Sequence, residues 1–128
     1  MHEKPKFGEF CWTELLTPHA QAAKDFYGNV FGWEFSDHKM DDSTYTMFKR
    51  QDQEFGGIWQ IPKDQENDIP PHWLTYILVK NIEESLEKAL NYGATVIKPI
   101  SKAGDFGWMA IIKDPTGAQV ALWQALQV

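Results

Sequence analysis

The sequence predicts an α+β fold: two tandem strand–helix–strand–strand–strand modules forming a curved mixed sheet around a cleft. Two observations predict it. A pattern of aromatic strand, helix and glycine stop occurs twice, once as Phe10-Cys11-Trp12-Thr13-Glu14-Leu15-Leu16 leading to Phe31-Gly32-Trp33, and again as Trp73-Leu74-Thr75-Tyr76-Ile77-Leu78-Val79 leading to Tyr92-Gly93-Ala94. Gly32 and Gly93 are 61 residues apart in a chain of 128, so the repeat is half the chain and two similar modules complete one structure. Between the copies lies the one linker-like segment, residues 62–71, which is polar and flanked by prolines.

Each element follows from local pattern. Residues 8–16 read as a strand. Thr17 suits an N-cap and Pro18 the first helical position, so a helix is expected to about Val30, with Ala22, Ala23, Phe26, Tyr27 and Val30 as its buried stripe. Strands are expected near 33–38, 43–50 and 54–61, with turns at Asp41-Asp42-Ser43 and Gln51-Asp52-Gln53. The second module starts at Trp73. Asn81 caps a helix over about 82–92 with Ile82, Leu86, Ala89 and Leu90 inward, and strands follow near 94–99, 106–113 and 117–125. Asp114-Pro115-Thr116-Gly117 is a strong turn. Gly56-Gly57 within a strand signals a bulge or a close backbone approach rather than a phosphate cradle. The chain reads as a single domain, residues 1–128, with module one at about 8–61, a linker at about 62–72 and module two at about 73–125.

Bulk properties exclude some partners. A net charge of -6 with no basic run argues against nucleic acid, whose phosphates demand clustered Lys and Arg. No apolar run reaches the roughly 18 residues that a membrane helix needs, and no apolar secretory segment follows Met1-His2-Glu3-Lys4-Pro5, so no membrane partner and a cytoplasmic location are expected. Cys11 is the only cysteine, which precludes an intrachain disulfide and reads as a buried apolar thiol.

The helix with Phe26-Tyr27, then Phe31-Gly32-Trp33, and the later Asp114-Pro115-Thr116-Gly117 before the last strand, together with the duplication, resemble the vicinal oxygen chelate superfamily over about residues 8–125. That group includes glyoxalase I, bleomycin-resistance proteins and extradiol dioxygenases, and the chain is most similar to its short bacterial glyoxalase-like members. The resemblance implies metal ligands, typically His, Glu or Gln, on the first and last strand of each module. Matched through the glycines, those positions hold Trp12, Trp59, Leu74 and Ala121, none of which has a side-chain acceptor for a metal. A shifted register would need Glu14, Gln60 and His72 together. His2, His19 and His38 are not grouped as a metal set, and solvated or turn roles are expected for them. No metal and no cofactor are therefore expected.

The strand faces expected to look into the cleft carry Phe10, Trp12, Glu14, Trp59, Leu74, Tyr76, Leu78, Ala121 and Trp123, with Trp108 at the rim. Aromatic rings offer flat contact to planar or cationic ligands, although the same rings can simply fill a sheet interior. Trp12, Trp59, Leu74, Tyr76, Trp108, Ala121 and Trp123 are the expected ligand-binding residues, and Glu14 the candidate acid–base group. Three functions stay open: a metal-independent binder of a small aromatic or amphipathic molecule, a glyoxalase-like lyase or isomerase using Glu14 or a displaced metal, and a non-catalytic interaction module. Exposed sheet edges, and the habit of related short proteins, lead to the expectation of a homodimer.

Overall fold

A computed structural model describes residues 4–40 and 43–126; His2, and Asp41 and Asp42 of the expected turn, lie outside the described residues. Among these residues are two α-helices and eight β-strands in the order β1 (Phe10–Thr17), α1 (Ala20–Phe31), β2 (Glu34–Met40), β3 (Ser43–Arg50), β4 (Gln53–Gln60), β5 (His72–Leu78), α2 (Ile82–Asn91), β6 (Thr95–Ala103), β7 (Gly107–Lys113) and β8 (Gln119–Ala125). The fold class is the α+β expected from sequence. Among the described residues, no helix is long and apolar enough to cross a membrane.

The chain divides into two compact units. One spans Trp12–Leu74; the other runs from Thr75 onward and includes the residues up to Cys11. The expected first module began at residue 8, but residues 8–11 group with the second unit. The Gly8 N–H donates to Leu78 O at 2.7 Å, and the Leu78 N–H donates to Glu9 O at 2.9 Å.

In the first unit the strands lie in the order β2-β3-β4-β1. β1 and β4 are parallel, pairing Glu14 with Gly57, Leu15 with Ile58, Leu16 with Trp59 and Thr17 with Gln60. The other neighbours are antiparallel, so the sheet is mixed. Leu15, Phe48 and Ile58 form a core covered by Ala20, Ala23 and Tyr27 of α1 and by Trp33 and Phe35. Burying side chains of this size stabilises by about 1.5–3 kcal/mol each. Successive strand residues alternate faces, so Glu14, Leu16, Tyr45, Met47, Gly57 and Trp59 point away from α1.

Two sequence expectations for α1 are corrected. The helix begins at Ala20, with His19 at the N-cap and no side-chain cap bond. Thr17 remains in the β1–β4 ladder, and its hydroxyl accepts from the His19 N–H at 3.1 Å. The exposed helix start is capped from β4 instead: Gln60 Oε1 accepts from the Ala20 N–H at 3.0 Å while Gln60 Nε2 donates to Pro18 O. The buried stripe is also narrower than expected. Phe26 and Val30 stay exposed at 54% and 56%, and Ala22 is exposed, while Ala20, Ala23 and Tyr27 pack on the core of the sheet. Gly32, at φ 74°, closes α1 as expected.

The second unit repeats the plan. Its strands lie in the order β5-β8-β7-β6, with β5 and β8 parallel and the rest antiparallel. Ile82, Ala94, Ala110, Ile112 and Leu122 form its core, with Leu86 and Ala89 packed on it. Leu90, expected in that stripe, is 43% exposed. Asn81 caps α2, its Oδ1 accepting from the Glu84 N–H at 3.0 Å. Gln124 Oε1 accepts from the Ile82 N–H at 2.8 Å, as Gln60 does for α1. The Asp114 turn forms as expected: Asp114 Oδ1 accepts from the Thr116 N–H, Thr116 Oγ1 and the Ala118 N–H at 2.8, 2.6 and 3.1 Å. Chiefly the Thr116 hydroxyl holds the Asp114 carboxyl below its usual range.

Candidate functional site

Parallel pairing of first and last strands sets the two repeats in register. Gln60 and Gln124 do the same task, so Trp59 corresponds to Trp123 and Gly57 to Ala121. Across the ladders, Glu14 corresponds to Tyr76 and Tyr45 to Met109; along the strands, Trp12 corresponds to Leu74. Matching through the glycines had equated Trp59 with Ala121. The ladder moves that match by two residues, which keeps it on the same strand face.

The helix-free face of the first repeat carries a hydrogen-bonded chain. Trp12 Nε1–H donates to Tyr45 Oη at 2.9 Å, and the Tyr45 hydroxyl donates to Glu14 Oε2 at 2.7 Å. Glu14 is buried at 8% exposure, and Trp12 and Tyr45 are half-buried. Burial foremost, then the negative charge of Glu14, pushes the Tyr45 phenol far above its ordinary range, so it stays a donor. Trp59 lies on the same face, beside Leu16 in the β1–β4 ladder.

Tyr45 escaped the sequence reading because nothing in its own strand marks it. Its signal lay in Gly56-Gly57. A Cβ at Gly57 would stand 2.0 Å from the Tyr45 hydroxyl oxygen, and one at Gly56 would stand 2.2 Å from the Phe48 ring and 2.4 Å from Thr13 O. The pair is both of the features its sequence allowed. It is a close approach, and it adjoins a bulge, since Phe48 pairs with Gly56 but Lys49 with Glu54.

The corresponding face of the second repeat carries Leu74, Tyr76, Met109, Ala121 and Trp123. Tyr76 is 5% exposed and meets Trp123 edge-on at 6.2 Å; Ala121 is fully buried and Leu74 nearly so. Trp108 does not join them. It alternates with Ala110 and Ile112 and pairs with Gln124, which places it on the helix-bearing face, 36% exposed. The expectation that it rims the helix-free face is corrected by that register.

The metal set implied by the resemblance does not fit this chain. Trp12, Trp59, Leu74 and Ala121 offer no acceptor, and neither does Trp123 or Gly57 in the corrected register. The neighbouring groups are engaged otherwise: Glu14 by Tyr45, Gln60 at the start of α1, and His72 Nδ1 at 2.8 Å from Pro70 O. Among the described residues, no three His, Cys, Asp or Glu side chains gather as a metal set. Cys11 is half-buried, and burial pushes its thiol up to about 11, so it is held as a thiol near neutral pH.

A twofold strand–helix–strand–strand–strand repeat with parallel first and last strands defines the class. The chain belongs to the Glyoxalase/Bleomycin resistance protein/Dioxygenase superfamily, whose model matches residues 10–122. It is 36% identical over 116 residues to a Mycobacterium tuberculosis protein named "Putative glyoxylase CFP32", covering 89% of this chain and 44% of that one. It is 26% identical over 131 residues to the "Anthracycline biosynthesis protein DauV" of Streptomyces sp., covering 91% of this chain and 47% of the relative. The chain thus spans less than half the length of these relatives. In fold it is similar to a hypothetical protein from Bacillus halodurans, with TM-score 0.70, 10% identity, and 96% and 98% of the two chains covered. The methylmalonyl-CoA epimerase of Mycobacterium tuberculosis gives TM-score 0.65, 10% identity, and 94% and 89% coverage.

Proposed function

We propose that this protein binds a small aromatic or amphipathic molecule without a metal at the superfamily's ligand positions. The observation that carries the reading is the helix-free face of the first repeat, where Trp12 and Tyr45 form a hydrogen-bonded chain to the buried Glu14 carboxyl and Trp59 lies on the same face. Such a face offers ring surface for stacking and one negative charge to orient a cationic group. The name of the Streptomyces relative makes anthracycline-type compounds a reasonable part of any ligand panel.

The test is a titration of aromatic and amphipathic compounds read by tryptophan fluorescence, in chelator throughout. Trp12→Ala should weaken binding several-fold, because ring contact contributes about 0.5–1.5 kcal/mol beyond buried area. Glu14→Gln should weaken cationic compounds more than neutral ones. Binding abolished by chelator overturns metal independence. A panel that never quenches fluorescence returns the chain to the interaction-module reading.

One observation favours a second reading, a lyase or isomerase. The 2.7 Å phenol–carboxylate contact between Tyr45 and Glu14 pairs a proton donor with a candidate base. Turnover lost in Glu14→Gln while binding persists would select it. A homodimer and a cytoplasmic setting are part of the same proposal. Sedimentation at micromolar concentration showing only a 14.8 kDa species would remove the dimer.

A further inference from the structure

Helix α1 carries two apolar rows. Ala20, Ala23 and Tyr27 pack on the core of the first repeat. Ala22, Phe26 and Val30, at four-residue steps, form a second row that is exposed to solvent. The Phe26 ring stands edge-on to Tyr27 at 5.0 Å and lies 6.3 Å from Phe31, and Trp73 meets Tyr27 edge-on at 5.6 Å. Ring contacts therefore extend the exposed row to Phe31 and Trp73, which are 54% and 40% exposed. The helix of the second repeat is built otherwise: α2 shows Glu83, Glu84, Glu87 and Lys88 to solvent, as a solvated helix face does.

The size and the rim of this patch fit a copy of the same chain. At about 150–250 Å² for each aromatic side chain, Phe26, Phe31 and Trp73 expose roughly 300 Å², to which Ala22 and Val30 add. Each partner of a standard interface gives about 800 Å², about 65% of it apolar in homodimers, so the patch supplies more than half of the apolar share. The adjoining row of Gln21, Asp25 and Asn29 is bonded within the helix: Gln21 Nε2 donates to Asp25 Oδ1 at 3.1 Å, and Asn29 Nδ2 donates to Asp25 O at 2.7 Å. A second copy can cover these groups without stranding their donors. A lipid surface fits less well, because Asp25 borders the row and Lys24 is held by Asp37 at 3.3 Å. The outer strands are poorer contacts too. β6 breaks register twice and contains Pro99, and β2 carries Glu34, Asp37 and Lys39.

We propose that two copies of this chain pair through α1, the row of Ala22, Phe26 and Val30 on one helix packing against the same row on the other. Rows at four-residue steps interlock when two helices cross at about −50°. A twofold axis makes such a contact self-complementary and sets Phe26 of each copy beside the axis. The inference rests on the homodimer of the proposed function and gives it a surface. That surface lies on the helix-bearing side of the first repeat, so pairing leaves the face with Trp12, Glu14 and Tyr45 open to a ligand.

The test is sedimentation of the full chain over a micromolar concentration series, where the unaltered protein should run at twice its 14.8 kDa mass. Phe26→Glu combined with Val30→Glu should weaken self-association by about thirtyfold or more, the scale on which losing central apolar anchors is felt. Tyr92→Ser and Ile97→Ser, at exposed apolar side chains of the second unit, should leave it within about twofold. A chain that stays monomeric removes the dimer and this surface together. A dimer that survives the double substitution keeps the dimer and overturns this surface, as does one that Tyr92→Ser or Ile97→Ser dissociates. Should the double variant misfold, hydroxyl-radical footprinting of the unaltered chain decides. Phe26 and Phe31 must be protected above the dimer midpoint and modified below it, and equal modification on both sides overturns the pairing. Monomer that cosediments with phosphatidylcholine vesicles, and ceases to in Phe26→Glu, assigns the row to lipid and overturns it as well.

Discussion

The two repeats share a backbone and differ in what they place on it. Each runs strand, helix and three strands, pairs its first and last strands in parallel, caps its helix from the last strand with Gln60 or Gln124, and closes it with a left-handed glycine, Gly32 at φ 74° or Gly93 at φ 103°. On the helix-free faces the likeness ends. Where the first repeat has Trp12, Glu14, Tyr45 and Gly57, the second has Leu74, Tyr76, Met109 and Ala121. The exchange is coupled by volume. Tyr45 reaches Glu14 only because Gly57 has no Cβ, whereas Met109 packs at 7% exposure over a sheet whose Ala121 is fully buried.

The largest expected effects test that coupling. Gly56→Ala drives a Cβ to 2.4 Å from the carbonyl oxygen of Thr13, which is backbone and cannot turn aside. Overpacking of this kind costs about 1–3 kcal/mol or more, and the urea midpoint should fall accordingly. Gly57→Ala meets the Tyr45 side chain instead, so its cost should depend on residue 45. Adding Tyr45→Met to Gly57→Ala reproduces the second repeat's pair and should recover most of the lost stability in a double-mutant cycle. Purely additive losses would break the comparison.

Removing one oxygen is a smaller perturbation. Tyr45→Phe deprives the buried Glu14 of a donor and the Trp12 indole of its acceptor. A hydrogen bond to a charged group contributes about 1.5–3 kcal/mol, so a loss of that order is expected in urea. The pH dependence sharpens the assignment. The Tyr45 phenol is raised in the folded state, so its contribution is complete below the ordinary tyrosine pKa of about 10 and fades as pH climbs past it, where only the unfolded chain ionises. Tyr45→Phe should flatten that alkaline decline. Cys11, raised from 9.0 to about 11 by burial, acts in the same direction from a lower pH, so the two limbs separate in Cys11→Ala. An unchanged alkaline limb in both variants would refute the burial of these groups.

The sequence carried the architecture further than the site. Its periodicities placed eight strands, and the Asn81 cap and the Asp114 turn formed at the expected residues, because those signals are local. The start of α1 failed for the complementary reason. Thr17-Pro18 is a sound local cap, but Thr17 is claimed by a ladder with Gln60, a residue remote in the chain. Glu14, Trp12 and Trp59 could be placed by alternation alone. Tyr45 could not, since its role depends on a glycine in another strand, and Trp108 went to the wrong face because the bounds of β7 set its phase. Pairings distant in sequence are where composition and period stop informing.

The smallest expected difference lies at the helix starts, and it separates local from tertiary capping. Asn81 holds the Glu84 N–H through its side chain, and Glu83 and Glu84 place negative charge in the first turn of α2. Asn81→Ala should therefore cost about 1 kcal/mol, the usual value of such a cap. His19 occupies the same position on α1 but makes no side-chain cap bond, and no acid follows it in the first turn. His19→Ala should leave the urea midpoint within error, because the start of α1 is held from outside by Gln60. The converse completes the argument: Gln60→Leu removes the acceptor for Ala20 and the donor to Pro18, so it should cost more than Gln124→Leu, which removes one bond from a helix that still has Asn81. Equal losses at both glutamines would show that Asn81 adds nothing to α2, and the contrast between the two starts would fall.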